Sequence, residues 1–191
     1  MLKGFWDYII RQLNIVPQAI YEVLFSLFFV GIVVLLALYG KKAIRYISGL
    51  FLAEYLFFIY GLTVIFRTVS TRLSHFFMPF LSYKRLLLGM SPLLYEIVMN
   101  VVLFIPVGFL WGTQTTKRTT RQQWLVAFLL GIGLSLGIEL LQLAFKKGSF
   151  EIDDIIYNTL GCLMGFALWR GFSRLIDVIR KKLEVALRRY T

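Results

Sequence analysis

Residues 124–145 read WLVAFLLGIGLSLGIELLQLAF, a run in which Glu139 is the one side chain that can carry a negative or positive charge. An α-helix needs about 20 mainly apolar residues to cross roughly 30 Å of hydrocarbon. The run meets this requirement and predicts a membrane-spanning helix. It also places a carboxyl group and an amide, Glu139 and Gln142, in a segment whose main solvent is lipid.

The rest of the chain has the same character. Of its 191 residues 59% are apolar and 16% are charged, whereas soluble domains average about 25% charged residues, and the mean hydropathy is +0.75. These values exclude most soluble enzymes. Apolar runs of spanning length predict five transmembrane helices, at 19–39, 46–66, 92–112, 124–145 and 154–173. We therefore expect an all-α, multipass transmembrane bundle that forms a single membrane domain, residues 1–191.

Two flanking segments show a different pattern. Residues 2–13 and 172–190 look amphipathic, and in 172–190 apolar residues recur at helical spacing from Phe172 to Tyr190. Stripes of this kind are typical of amphipathic helices that lie in the head-group plane of a membrane. The expected partners are the lipid bilayer and its anionic lipids.

The basic residues indicate orientation. The net charge is +11, which in a soluble protein would suggest nucleic acid, but here Lys and Arg stand at span ends and we expect no nucleic-acid binding. With the N-terminus outside and the C-terminus in the cytoplasm, 13 of the 21 basic residues lie inside, as the positive-inside rule favours. One cysteine and one histidine exclude an internal disulfide and a Cys-rich or multi-histidine metal site, and we expect neither metal nor cofactor.

Polar side chains of three predicted helices reach one level of the bilayer. At 1.5 Å per residue, Asn100 and Glu139 lie about 12 Å below the outer surface and Asn158 about 6 Å below it. Ionisable groups at such depths are candidate functional sites. The predicted polar pocket consists of Glu96, Asn100, Glu139, Gln142, Asp153, Asp154 and Asn158.

Small residues favour close contact between these helices. Pairs spaced four apart allow backbones to approach closely, and we expect Gly133 with Gly137, and Gly161 with Gly165, to pack helix against helix. Pro106, with Gly108 after it, is expected to bend the third predicted helix around the pocket.

A structural interpretation stands beside the functional one. Amides inside membranes often form interhelical hydrogen bonds without any ligand, and this applies equally to Asn100, Gln142 and Asn158. For Asp153 a helix N-terminus is itself a favourable place for a carboxylate. Glu139 favours function more strongly, because a carboxyl group at its depth needs a proton, a basic partner or water.

Four motifs in order resemble the VanZ-like membrane proteins of bacteria. They are Asn100-Val-Val-Leu-Phe-Ile-Pro106-Val-Gly108, Glu139-Leu-Leu-Gln142, Phe150-Glu-Ile-Asp153-Asp154, and Asn158-Thr-Leu-Gly161 with Gly165. With Met78-Pro-Phe and Tyr83, the resemblance covers about residues 76–170, the VanZ-like core. One departure concerns the loop that carries Glu151, Asp153 and Asp154, which we call the acidic loop. Just before its Ser149-Phe150, family members often have Arg, whereas this chain has Gly148. Lys147, one position earlier, is an alternative counter-charge.

The resemblance implies a protein of the bacterial plasma membrane whose family's founding member lowers susceptibility to teicoplanin, a lipid-tailed glycopeptide antibiotic. Three functions stay open. The first is a surface-protection protein whose outward pocket binds a lipid head group, a cell-wall lipid precursor or a lipoglycopeptide. The second is an intramembrane enzyme acting on a lipid with Glu139 and Asp154 as acid and base, and the third is a transporter in which Glu139 cycles a proton; no catalytic residue is assigned.

Overall fold

The computed structural model describes residues 43–69, 75–76, 92–114 and 119–187, together with nine positions between 17 and 34. Its helices are α1 (Ala43–Tyr60), α2 (Pro92–Gln114), α3 (Thr120–Ala144) and α4 (Ile152–Leu187), and α1 continues into a π-helical turn, Gly61–Ile65. Strands β1 (His75–Phe76) and β2 (Phe150–Glu151) pair in parallel. The described chain is mainly helical, as predicted.

Three of the described helical segments are long and apolar enough to cross a membrane: Arg45–Ile65, Leu94–Gln114 and Thr120–Ala144. They correspond to the second, third and fourth predicted spans, which are therefore helical and of spanning length. Of the first predicted span, 19–39, eight residues are described and all are helical, while the rest of it and the whole of the predicted amphipathic helix 2–13 lie outside the described residues. The chain is therefore a helical membrane protein in which the described residues supply three such helices, not five.

Helix α4 corrects the prediction for the C-terminal part. A span at 154–173 and a separate surface helix at 172–190 were expected, but residues 152–187 form one helix of 36 residues, about 54 Å long. The prediction of two separate helices is wrong because Gly171 is the only breaker between them. A single glycine costs a helix roughly 1 kcal/mol and does not end it.

The helices alternate in direction along the bundle. At one end the start of α1 meets the end of α2, where the Gln114 amide donates to the carbonyl of Arg45 (3.0 Å) and to Oγ of Ser48 (2.8 Å). At the other end the chain leaves α1 and α3 and enters α2 and α4; we call this the pocket end. Between the two ends lies an apolar core of Ile59, Val64, Phe104, Val107, Ile138 and Cys162.

Glycines set the contact between α2 and α4, which run parallel. A Cβ atom added at Gly161 would lie 2.1 Å from the carbonyl oxygen of Val101, and one at Gly165 would lie 1.9 Å from that of Ile105. On the facing helix, a Cβ at Gly108 would lie 1.8 Å from the carbonyl oxygen of Cys162. The backbones of α2 and α4 therefore meet at these glycines; a contact of this kind was expected for Gly161 and Gly165, whereas Gly108 was expected only to help bend its helix.

The glycine pair predicted in α3 is only half right. Gly137 faces Tyr60, whose hydroxyl would lie 2.9 Å from an added Cβ, but Gly133 has nothing within 4 Å. Gly131 faces α4 instead: a Cβ added there would lie 3.0 Å from the Cα of Thr159. The four-residue spacing pointed to the wrong partner because Gly133 lies on the exposed side of α3. Pro106 lies inside α2, which continues through it.

Candidate polar site at the pocket end

The site begins at the turn that ends α3. Lys146 adopts a positive φ of 55°, and the Lys147 amide donates to the Gln142 carbonyl at 2.8 Å. This is the pattern of a Schellman-type helix end, in which a left-handed residue lets the chain fold back onto the last carbonyls. The turn therefore directs Lys147 and the following loop back over the bundle.

The end of α1 is fixed by the same turn. The last carbonyls of a helix have no intrahelical partner. Here the side-chain amide of Gln142 donates to the backbone carbonyl of Thr63 at 3.0 Å, and the ammonium group of Lys147 donates to that of Ile65. These two bonds tie α1 to α3. As a result Arg67, two residues beyond the π-helical turn, lies beside the loop that follows α3.

Glu139 holds the acidic loop in place. Its side chain is only 1% exposed, and its Oε2 accepts a hydrogen bond of 2.8 Å from the backbone amide of Glu151. Strand β1 pairs with the same loop, with Phe76 opposite Glu151. The partner that the buried carboxyl group required is therefore a backbone amide.

A chain of hydrogen bonds joins α2, α3 and α4 beneath this loop. The Asn100 amide donates to Oδ1 of Asp154 at 2.6 Å. The Asn158 amide donates to Oγ of Ser135 at 2.8 Å, and that hydroxyl reaches the backbone carbonyl of Asp154 at 3.5 Å. Oδ1 of Asn158 is buried and accepts no hydrogen bond within the described part of the chain. Three helices thus meet through polar groups at one level of the bundle.

Above these bonds lies a cavity of about 290 Å³. Its lining consists of Arg67, Thr68, Gln142, Lys147, Gly148, Ser149, Glu151 and Asp154. The cavity therefore presents cationic and acidic groups together. Arg67 also lies within electrostatic range of Glu96, Glu139 and Asp154. Within the described ranges no three His, Cys, Asp or Glu side chains are grouped to hold a metal ion.

The predicted residues divide into two layers. Gln142 and Asp154 line the cavity, whereas Asn100, Glu139 and Asn158 lie in the hydrogen-bonded layer next to it. Asp153, in the first turn of α4, is 3% exposed. Glu96 differs from the others: its side chain is exposed on α2 and is not part of the cavity lining, but it lies within electrostatic range of Asp154 and Arg67.

Arg67 is the main residue that sequence reasoning missed as a site residue. Its guanidinium lies against Gly148, where an added Cβ would be 3.4 Å from Cζ and Nη1 of Arg67. At Gly148, where the resemblance leads us to expect Arg, the guanidinium of Arg67 from another segment therefore lies alongside. The available signal was weak: a cation just beyond the predicted span 46–66, in a loop with no periodic pattern.

Comparison with known proteins agrees with the motifs. The family model described as VanZ/LLP1 matches residues 50–176, a range that contains α2, α3, the acidic loop and the first part of α4. A curated relative, Protein VanZ of Enterococcus faecium, is 29% identical over 141 residues, which cover 71% of this chain and 83% of that protein. No solved structure matches the chain significantly. The chain belongs to the VanZ/LLP1 family.

Proposed function

We propose that this membrane protein protects the cell surface by binding a lipid head group, or the head group of a cell-wall lipid precursor, in the cavity at the pocket end. Through this binding it lowers susceptibility to teicoplanin-type lipoglycopeptides, the activity that the family resemblance implies. The observation that supports the proposal is the cavity itself, because it collects Arg67, Lys147, Glu151 and Asp154 at the end of an otherwise apolar bundle.

The size of the cavity favours a head group over the antibiotic. Its volume of about 290 Å³ is at the lower limit of ligand pockets, which run from about 300 to 1,000 Å³. A lipoglycopeptide is too large to enter as a whole. Protection by binding a lipid or a precursor is therefore the form of the proposal that suits the geometry best.

We place the pocket end on the outer side of the membrane and the C-terminus in the cytoplasm. The distribution of Lys and Arg supports this orientation, because the seven basic residues from Arg170 to Arg189 then lie on the cytoplasmic side, where Lys and Arg are in excess. In this arrangement residues 19–39 and the first half of α4 also cross the bilayer, which makes five spans. Accessibility of introduced cysteines to an impermeant reagent measures the orientation directly.

Teicoplanin susceptibility tests the function. Cells of a susceptible bacterium carry an empty vector, the wild type, Glu139→Gln or Glu54→Gln, with equal amounts of protein in the membrane. Both substitutions remove one carboxyl group at nearly constant volume, but Glu54 lies on α1 and is not part of the cavity lining. We expect the wild type and Glu54→Gln to raise the inhibitory concentration several-fold, and Glu139→Gln to lose most of that rise.

Two results would contradict the proposal. If the wild type leaves the inhibitory concentration at the value of the empty vector, the antibiotic-protection function is wrong for this chain. If Glu139→Gln protects as well as the wild type at equal abundance, the protection does not depend on this site.

The enzyme alternative draws on Glu139 and Asp154, two carboxyl groups within electrostatic range of each other. Each already has a protein donor, the amide of Glu151 or of Asn100, which suits a positioning role better than proton transfer. Incubation of the purified protein with labelled membrane lipids would reveal an enzyme by its product. Proton flux into proteoliposomes would reveal the transporter, and Glu139→Gln is the control for both assays.

A further inference from the structure

The two signs of charge in the cavity come from different elements. Arg67 follows α1 and Lys147 follows α3, whereas Glu151 belongs to β2 and Asp154 to the first turn of α4. We call Arg67 and Lys147 the cationic side of the cavity and Glu151 and Asp154 its acidic side, and Arg67 lies within electrostatic range of Asp154.

The cationic side retains hydrogen-bonding capacity. A guanidinium has five N–H donors in a planar fork that matches the oxygens of a phosphate or carboxylate. Among the described residues, no hydrogen bond and no ion pair within 4 Å engages that of Arg67, which rests against Gly148. Lys147 uses one donor on the Ile65 carbonyl, and an ammonium has three.

The acidic side argues against a simple anion as ligand. Besides Glu151 and Asp154 in the lining, Glu139 lies directly behind them, with its Oε2 on the Glu151 amide. A carboxyl group that is ionised repels a second anion and attracts an ammonium group. The converse holds beside Arg67 and Lys147, where a simple cation is repelled.

We propose that the cavity binds a zwitterionic group, with its oxyanion against Arg67 and Lys147 and its primary ammonium against Glu151 and Asp154. The inference rests on the proposed function, since it assigns the chemistry of the same site. A group with the two charges a few atoms apart fits a volume of about 290 Å³. Phosphoethanolamine lipids carry such a group, and so do free amino acids.

Lipid binding to the purified full-length protein in detergent tests this assignment. Affinities are measured by competition with a fluorescent phosphatidylethanolamine. The competitors are unlabelled phosphatidylethanolamine, phosphatidylglycerol and phosphatidylcholine. Phosphatidylglycerol has no ammonium group, and the quaternary ammonium of phosphatidylcholine donates no hydrogen bond. We expect phosphatidylethanolamine to bind about tenfold more tightly than either of the others, the effect of losing one charge-assisted hydrogen bond.

Variants of Arg67, Lys147 and Glu151 test which residues recognise each charge of the lipid head group. We expect Arg67→Gln to weaken phosphatidylethanolamine binding about tenfold and Glu151→Gln to abolish the preference over phosphatidylglycerol. The matched control is Arg121→Gln, which removes an exposed guanidinium near the start of α3, at the opposite end of the bundle, and should leave binding unchanged. Unfolding temperatures without added lipid check that each variant is folded, and Lys147→Gln provides a second test of the cationic side.

Three results would overturn the proposal. Tighter binding of phosphatidylglycerol would make the cavity an anion site, equal binding of phosphatidylcholine would remove ammonium recognition, and unchanged affinity in folded Arg67→Gln and Lys147→Gln would remove the cationic side. Competition by glycerophosphoethanolamine or alanine as strong as that of the lipid supports the zwitterion and indicates a soluble source. Because no antibiotic is used, failure of the ligand assignment and failure of surface protection are separate results.

Discussion

The parallel contact of α2 and α4 makes a single methyl group at Gly161 a severe perturbation. In Gly161→Ala the new Cβ would lie 2.1 Å from the carbonyl oxygen and 2.9 Å from the carbonyl carbon of Val101. Backbone atoms cannot rotate away as the end of a side chain can. Relief of this overlap requires the two helices to separate by at least about 1 Å, because an ordinary contact begins at 3.4 Å and the new Cβ would lie at 2.1 Å.

The expected cost follows from the packing that this separation disrupts. Overpacking of a close-packed interior typically costs about 1–3 kcal/mol, and a gap of 0.5–1 Å forfeits about a quarter to a half of the dispersion energy of each contact across it. For a chain of this size, each kcal/mol lowers the unfolding temperature by about 2–4 °C. We therefore expect Gly161→Ala to unfold about 2–12 °C below the wild type.

The same substitution should disturb the site from a distance. The hydrogen bond between Asn100 and Asp154 crosses the same pair of helices and is 2.6 Å long. A separation of about 1 Å that extends to this level lengthens it beyond hydrogen-bonding distance. Loss of ligand binding in Gly161→Ala would therefore accompany its lower stability.

Thermal unfolding in detergent, followed by far-ultraviolet circular dichroism, measures the effect. Gly133→Ala is the matched control, because it makes the same chemical change inside a helix where nothing lies within 4 Å of the new Cβ. It should unfold at or slightly above the wild-type temperature, since Ala is the better helix former. Equal unfolding temperatures for Gly161→Ala and the wild type would refute the reasoning about the α2–α4 contact.

Two further predictions concern the membrane. In a Cys162→Ala background, Ser149→Cys at the pocket end should react with an impermeant thiol reagent on intact cells, and Arg121→Cys at the opposite end should react only after lysis; the reverse pattern contradicts the proposed orientation. The distal part of α4 exposes Leu175 and Ile179 on the face opposite Lys181. Trypsin should therefore cut at Lys181 more slowly in nanodiscs with anionic lipid than in neutral ones, with the difference reduced by high salt, and equal rates at low salt would contradict a surface-bound helix.

The helices of the bundle were predictable because lipid leaves the backbone few choices. Without water to satisfy N–H and C=O groups, a spanning segment must pair them internally, which a helix does. The runs 46–66, 92–112 and 124–145 therefore gave three helices close to their observed bounds. For α4 the change from an apolar run to an amphipathic stripe marked a change of surroundings and not a helix end.

The glycines show what spacing alone can and cannot decide. Gly161 and Gly165 lie on the same stripe of α4 as the polar residues Asp154 and Asn158, so their contact with a neighbour was well indicated. For α3 the spacing gave no means of choosing between Gly131 and Gly133. That choice depends on which side of α3 faces α4, a property of the packed bundle.

The sequence by itself determined the solvent of this protein, its helical class and the level at which its polar side chains meet, because these depend on hydropathy and on a fixed rise per residue. Only the tertiary structure decided that Arg67 and Lys147 lie beside Glu151 and Asp154. Arg67 is in a loop, where no periodicity fixes the direction of a side chain. Its position follows from the hydrogen bonds that Gln142 and Lys147 make to the end of α1, which are contacts between residues far apart in the chain.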